Sequence, residues 1–258
     1  MAFKDEILGN YLHERHFLQT VYMPAFQPKG RNFVYMKNHK AACTTVIATL
    51  MAHLLDEMGD SRDISMQNVH MPPMDVIHAG KRALKLPRAL DALQSPDVFR
   101  FTVVREPVSR TVSAWADKVS GTGAKKHKLM EILGRPVDED LSLSAFLDLL
   151  AQDPVALDVD RHWRPQSKEI SWGLINYDVV GTTDDLDPAL EEIVLKCFNH
   201  KKPMLQDTRA SLGHKTGASD MVQTLTKKDR RNIERAFGAD LEMYEAVKSQ
   251  QIQTVLAL

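Results

Sequence analysis

The sequence has 258 residues, 43% of them hydrophobic and 26% charged, enough to bury one sizeable core, so a single domain over residues 1–258 is expected. Its 33 basic and 34 acidic side chains leave a formal net charge of −1, which excludes a global field that would draw nucleic acid or an anionic membrane. Any anion site has to be local.

Along the chain, short apolar runs alternate with longer amphipathic stretches, without an internal repeat or a low-complexity linker, and this pattern predicts an α/β fold. Residues 32–37 (NFVYMK) read as a buried strand and residues 44–57 as a helix entered directly from a short loop. Residues 99–104 (FRFTVV) read as a second strand, and after Arg105, Glu106 and Pro107 a helix runs to about Val119, with Pro107 suited to its first turn. The stretch 121–128 (GTGAKKHK) reads as a solvated loop. Residues 141–150 carry an amphipathic helical pattern, residues 177–182 (YDVVGT) read as a third strand, and Asp187-Pro188 has the chemistry of a helix start. Thr226, with Asp229 three residues on, introduces a last helix whose Ile233, Phe237, Leu241 and Tyr244 share one face and predict core packing.

Two segments carry chemistry. The first is HKAACTT at residues 39–45, between the first strand and its helix. Ala41, Ala42 and Cys43 are small enough for the backbone to approach a ligand, and the new helix offers unpaired N–H groups to an anion. Lys40 adds a mobile positive charge, and Thr44 and Thr45 add hydroxyls. The segment is not a Walker A loop, because its lysine precedes the small residues, and no acidic strand end stands ready to hold magnesium. The second segment is VVREPVSRTVSAW at residues 103–115. Arg105 falls where a buried strand ends, and Ser109 and Ser113 are four apart on the following helix. A forked guanidinium backed by a helical serine suits a terminal phosphate, while Arg110 is free to make an ordinary salt bridge.

In these two segments the chain resembles the sulfotransferases that use 3'-phosphoadenosine 5'-phosphosulfate (PAPS), in particular the branch of carbohydrate sulfotransferases and their bacterial relatives. Residues 39–45 are similar to the 5'-phosphosulfate loop P-K-x-G-[SC]-[TS]-[ST], with His39 in place of proline and Ala42 in place of glycine. Residues 104–115 (VREPVSRTVSAW) match the 3'-phosphate motif nearly throughout. His162-Trp163-Arg164-Pro165-Gln166 resembles the family's H-W-x-P-Q segment, and residues 212–216 (LGHKT) resemble the loop that closes over the nucleotide. The resemblance implies a P-loop-NTPase-like sulfotransferase fold, a central mainly parallel sheet flanked by helices, with its core at about residues 32–248 and residues 1–31 as an N-terminal extension.

It also implies roles. Lys40 contacts the sulfonate and bridging oxygen of PAPS; the N–H groups from Ala41 to Thr45, through Ala42, Cys43 and Thr44, hold the 5'-phosphate; Arg105 and Ser113 hold the 3'-phosphate; and Lys215 or Thr216 closes the site. The acceptor hydroxyl needs a base, for which His78 stands first, His70 second and Glu106 third. His162, Trp163 and Arg164 are candidate acceptor contacts, although Trp163 also reads as part of a packed wall. Ala42 must either avoid a positive φ or accept strain. Metal is not required, since Lys40 and the arginine supply the positive charge, and no Cys/His spacing suggests zinc.

The expected activity is transfer of a sulfuryl group from PAPS to a hydroxyl on a glycan, glycolipid or polysaccharide precursor, with a phenol or small alcohol as the other acceptor class. A non-catalytic nucleotide-binding protein and a nucleotide-dependent phosphotransferase are the alternatives. Two cysteines, Cys43 and Cys197, with twelve methionines fit a reduced compartment, and the absence of a leader-like start or a run of eighteen apolar residues predicts a cytoplasmic protein without an integral anchor.

Overall fold

A computed structural model describes residues 3–23, 32–70, 74–77, 84–200 and 218–256. In chain order its elements are α1 (Phe3–Gly9), α2 (Glu14–Thr20), β1 (Val21–Tyr22), β2 (Phe33–Met36), α3 (Cys43–Met58), α4 (Met66–Val69), α5 (Met74–Ile77), α6 (Leu86–Gln94), β3 (Phe99–Val104) and α7 (Pro107–Lys118). There follow α8 (Ala124–Ile132), α9 (Leu143–Gln152), α10 (Pro154–Asp158), α11 (Gln166–Glu169), β4 (Val179–Thr182), α12 (Leu186–Phe198), α13 (Ala218–Gln223) and α14 (Lys227–Leu256). The residues group into two compact units, one of Met1–Asn38, Ala42–Val104 and Glu169–His214, the other of His39–Ala41, Arg105–Lys168 and Lys215–Leu258.

Among the described residues the first unit is built on a four-stranded sheet of order β1-β2-β3-β4, in which β2, β3 and β4 pair in parallel and β1 runs antiparallel to β2. The sheet is therefore mixed. Its added strand is the two-residue β1, which lies in the N-terminal stretch and is too short to show a strand period. Alternation of side chains sorts β2 between two cores. Phe33 and Tyr35 join Phe101 and Val103 of β3 against Val46, Leu50 and Leu54 of α3 and Ile193 of α12. Val34 and Met36 point the other way, onto Ile7 of α1, Phe17 of α2 and Leu90 of α6. Helices thus cover both faces, which is why β2 reads as a continuous apolar run. Each large apolar side chain fully enclosed there contributes about 1.5–3 kcal/mol.

α3 ends at Gly59, whose φ of 64° lets its N–H turn back to the carbonyls of Asp56 and Leu55. α12 starts at Leu186, one residue before the sequence places it, with Asp185 at the N-cap and Pro188 in the first turn. It packs so closely on β4 that a β-carbon at Gly181 would lie 2.7 Å from that of Ala189.

The second unit is helical. Ala114 of α7, Leu129 and Met130 of α8, Phe146 and Leu150 of α9, and Ile233 and Phe237 of α14 share one core with Trp163. α8 corrects the expected loop at residues 121–128: Gly123 takes the N-cap, and Leu129 and Met130 just beyond that stretch give the helix a buried face. α9 begins two residues later than expected, because Ser142 is its N-cap and accepts from Ala145 N–H at 3.2 Å. At the start of α14, Thr226 and Asp229 form the expected reciprocal cap, with N–H to side-chain oxygen distances of 2.9 and 3.1 Å. The stripe that follows is bent: Phe237 has φ −127° and ψ 27°, and beyond it Asp240, Met243, Tyr244 and Val247 are buried while Leu241 is half-buried.

Candidate active site

The residues put forward from the sequence fall in both units. In the first unit β2 leads to Asn38, which is fully buried and donates from Nδ2 to the Val103 carbonyl at 3.0 Å. α3 starts from Ala42, whose backbone is left-handed (φ 55°, ψ 20°). Its carbonyl accepts the first helical bond from Val46 N–H at 3.0 Å, and its methyl side chain makes no cap, so the first turn of α3 begins without a side-chain cap from its N-cap residue. Cys43 is a buried free thiol at the first helical position, the space-filling role its size suggests. Thr44 Oγ1 and the exposed His70, just after α4, lie 3.2 Å apart through the His70 Nε2.

In the second unit the residues around Lys40 are tied to α7. Glu106 caps α7 with both carboxylate oxygens, accepting from Val108 N–H at 2.9 Å and Ser109 N–H at 2.7 Å. Both oxygens are committed to the cap, which weighs against Glu106 as the base. Arg105, half-buried, donates from Nη1 to the Lys40 carbonyl at 3.2 Å. The Gln166 side chain clamps its backbone from the other side, donating to the Arg105 carbonyl at 2.7 Å and accepting from its N–H at 3.1 Å. Gln166 and Ser167 donate in turn to the buried Asp240 carboxylate, with backbone bonds of 2.7 and 2.8 Å. Burial pushes the Asp240 carboxyl above its ordinary value, against the pull of the Arg110 charge and these bonds. Ser113 is 3% exposed, two turns into α7.

Arg110 is no ordinary salt-bridge residue. Enclosed at 1% exposure, it donates from Nε to the His39 carbonyl at 2.9 Å, from Nη1 to the Arg164 carbonyl at 2.8 Å and from Nη2 to the Arg161 carbonyl at 3.3 Å. One guanidinium thereby pins residue 39 and the 161–164 turn. Between the anchored carbonyls of His39 and Lys40, the Lys40 backbone adopts φ 65°. Its ammonium lies 2.9 Å from Asp117 Oδ2, one helical turn beyond Ser113 on α7. Lys118 reaches the same oxygen at 3.1 Å.

The 162–164 segment divides. His162 is partly exposed; its N–H donates to Asp160 Oδ1 at 3.0 Å and its Nδ1 meets the same oxygen, while Lys125 holds Asp160 Oδ2 at 2.7 Å. The His162 ring packs edge-on against His39 at 5.0 Å. Burial lowers its pKa, against the pull of Asp160. Trp163 is fully enclosed, donates from Nε1 to the Ala156 carbonyl at 2.9 Å and meets Phe146 edge-on; Arg164 is 2% exposed and donates to Asp158 at 2.8 Å. The enclosed side chains of Trp163 and Arg164 offer no face to an acceptor, so of the three only His162 remains a candidate for that contact. His78, Lys215 and Thr216 lie outside the described residues.

Asp117 and Asp240 were not singled out from the sequence, and Gln166 was named only as part of the 162–166 segment, without a role of its own. Asp117 had a signal: Ser109, Ser113 and Asp117 recur every four residues on one helical face. Gln166 is the last position of the 162–166 resemblance, whereas Asp240, 74 residues on, had no signal. Among the described residues, no group of three or more His, Cys, Asp or Glu side chains is placed to hold a metal ion, and no helix is long and apolar enough to cross a membrane.

A model of the sulfotransferase family matches residues 25–245. The chain belongs to the sulfotransferase family. No curated protein and no solved structure matches it. Membership makes the chain a transferase of sulfuryl groups in general, and the α/β architecture with helices on both faces of the sheet agrees with a sulfotransferase fold. The match extends over residues 39–45, 103–115 and the 162–166 segment.

Proposed function

We propose that the protein transfers the sulfuryl group of PAPS to a hydroxyl of a carbohydrate or glycoconjugate, working as one catalytic domain in the cytoplasm and without a metal. The observation that carries this reading is the bond from Arg105 to the Lys40 carbonyl, which fastens the residue of one motif to the loop of the other. The residues fit the donor. The uncapped first turn of α3 and its threonines suit the 5'-phosphate, and half-buried Arg105 with buried Ser113 suits the 3'-phosphate.

Bound there, PAPS supplies the sulfuryl group. Lys40, with its backbone held and its ammonium on a flexible stem, neutralises the negative charge that develops on the departing phosphate. Positioning and electrostatic stabilisation carry most of the barrier reduction. The acceptor proton goes to His78 or to His70, and the proximity of the His70 ring to Thr44 Oγ1 supports the latter. Lys215 or Thr216 closes over the nucleotide, and His162 contacts the acceptor.

The test is calorimetric titration with 3'-phosphoadenosine 5'-phosphate (PAP) of the wild type, Lys40→Ala and Arg105→Ala, with ATP as competitor. Loss of a charge-assisted phosphate contact in Arg105→Ala should weaken PAP binding about 10- to 100-fold. A wild type that prefers ATP with magnesium overturns the reading in favour of a phosphotransferase. Once PAP binds, glycan and phenol acceptors distinguish the two acceptor classes, and His70→Ala and His78→Ala distinguish the bases.

A further inference from the structure

One oxygen of Asp117 serves two cations, Lys40 at 2.9 Å and Lys118 at 3.1 Å. The Lys40 and Asp117 side chains are 16% and 28% exposed, so the pair is shielded without being sealed. Burial would raise the Asp117 carboxyl, but the hydrogen bonds and charges of Lys40 and then Lys118 outweigh it and hold the carboxyl below its ordinary value. It is ionised at neutral pH.

A carboxylate with a single buried partner cannot release it without being left uncompensated, and such a loss is strongly unfavourable. Lys118 changes that balance. With Lys118 in place, Lys40 can leave and Asp117 still has a cation on the same oxygen. The loop is already prepared for the exchange: the Lys40 backbone is fixed at φ 65° and its carbonyl is bound by Arg105, so only its four-carbon stem has to move. Ser113, one turn before Asp117 on α7, puts the proposed 3'-phosphate contact and the Lys40 partner on the same helical face.

We infer that Asp117 is a placeholder for the anionic end of the donor: it holds the Lys40 ammonium between turnovers, gives it up when the donor's phosphate arrives, and then keeps Lys118. The inference rests on the proposed function in taking Lys40 as a donor contact. Asp117 is a positioning residue, acting through Lys40. Because it competes with the donor for one ammonium, the donor's apparent affinity is reduced by the fraction of protein in which the pair is closed.

The experiment is a double-mutant cycle read by PAP calorimetry on the full chain: wild type, Asp117→Asn, Lys40→Met and the double variant, with Asp117→Ser as a second replacement and thermal unfolding as the folding control. Removing the carboxylate should tighten PAP binding about three- to tenfold when Lys40 is present and less than twofold when it is Met. In turnover, the KM for PAPS should fall in Asp117→Asn by more than kcat changes, a split that a purely structural ion pair would not produce. Unchanged or weaker binding in both Asp117 replacements overturns the inference. Tightening of equal size with and without Lys40 also overturns it, since Asp117 would then be repelling the anion through space. A wild type that binds no PAP overturns the donor assignment and this inference with it, whereas tight wild-type binding with a silent cycle overturns this inference alone.

Discussion

Lys40 and Ala42 both have φ near +60°, at 65° and 55°, a region an L-residue with a β-carbon enters at a strain of about 1–2 kcal/mol. At Ala42 the strain has a removable cause. Ala42→Gly should stabilise the protein by roughly 0.5–1 kcal/mol, since glycine adopts the conformation freely and is also tolerated at an N-cap. Urea unfolding at pH 7 measures this, and a lower midpoint for the glycine variant would show that the left-handed turn is not strained. The choice between avoiding a positive φ and accepting strain was legible in the sequence at Ala42, because a resemblance to a glycine-bearing loop names the position. That Lys40 does the same was not legible. Its conformation is imposed by Arg105 and Arg110, which hold the carbonyls of residues 40 and 39 from 65 and 71 residues away.

At the scale of elements, β2, α3, β3 and α7 were readable nearly to their ends, since each couples an apolar period to a clear stop or start such as Gly59, Glu106 or Pro107. Elements whose burial depends on residues outside their own window were not. β1 is two residues long, and α8 is polar over its first turn and gains its face from Leu129 and Met130. The contact between β4 and α12 gives a test of this packing. Gly181→Ala sets a β-carbon 2.7 Å from that of Ala189, so helix or strand must shift, and a loss of about 1–3 kcal/mol is expected. Gly181→Ala/Ala189→Gly should recover part of that loss in denaturant titration, because it moves the methyl group across the interface instead of adding one. If the double variant is no more stable than the single one, the close approach is not what limits the packing.

For the whole molecule, buried titrating groups predict how stability follows pH. His53 is fully buried against Phe198, with ring centroids 4.9 Å apart, and burial, aided by His200, pushes its pKa down to about 4. In the unfolded chain a histidine protonates near 6.5. Between that value and about 4 the unfolded state binds the extra proton, so acidification from pH 7 to 5 lowers stability. His162, lowered mainly by burial, adds in the same direction, whereas Asp240, raised by burial, opposes it. Comparing wild type with His53→Phe, which keeps a ring on Phe198, isolates the first share. The fall in urea midpoint from pH 7 to pH 5 should be smaller in the variant, and an equal fall would rule out His53 as a source. The order in which the chain is made adds a consequence of the Arg110 bond. Arg110 follows His39 by 71 residues, so at about 5–20 residues per second a ribosome takes roughly 4–14 s to reach it. Until Arg105 and then Arg110 have been added, no guanidinium is there to hold the backbone of residues 40 and 39. The loop that carries Lys40 is synthesised ahead of both arginines, so the bonds that shape it form only after the start of α7 has been made.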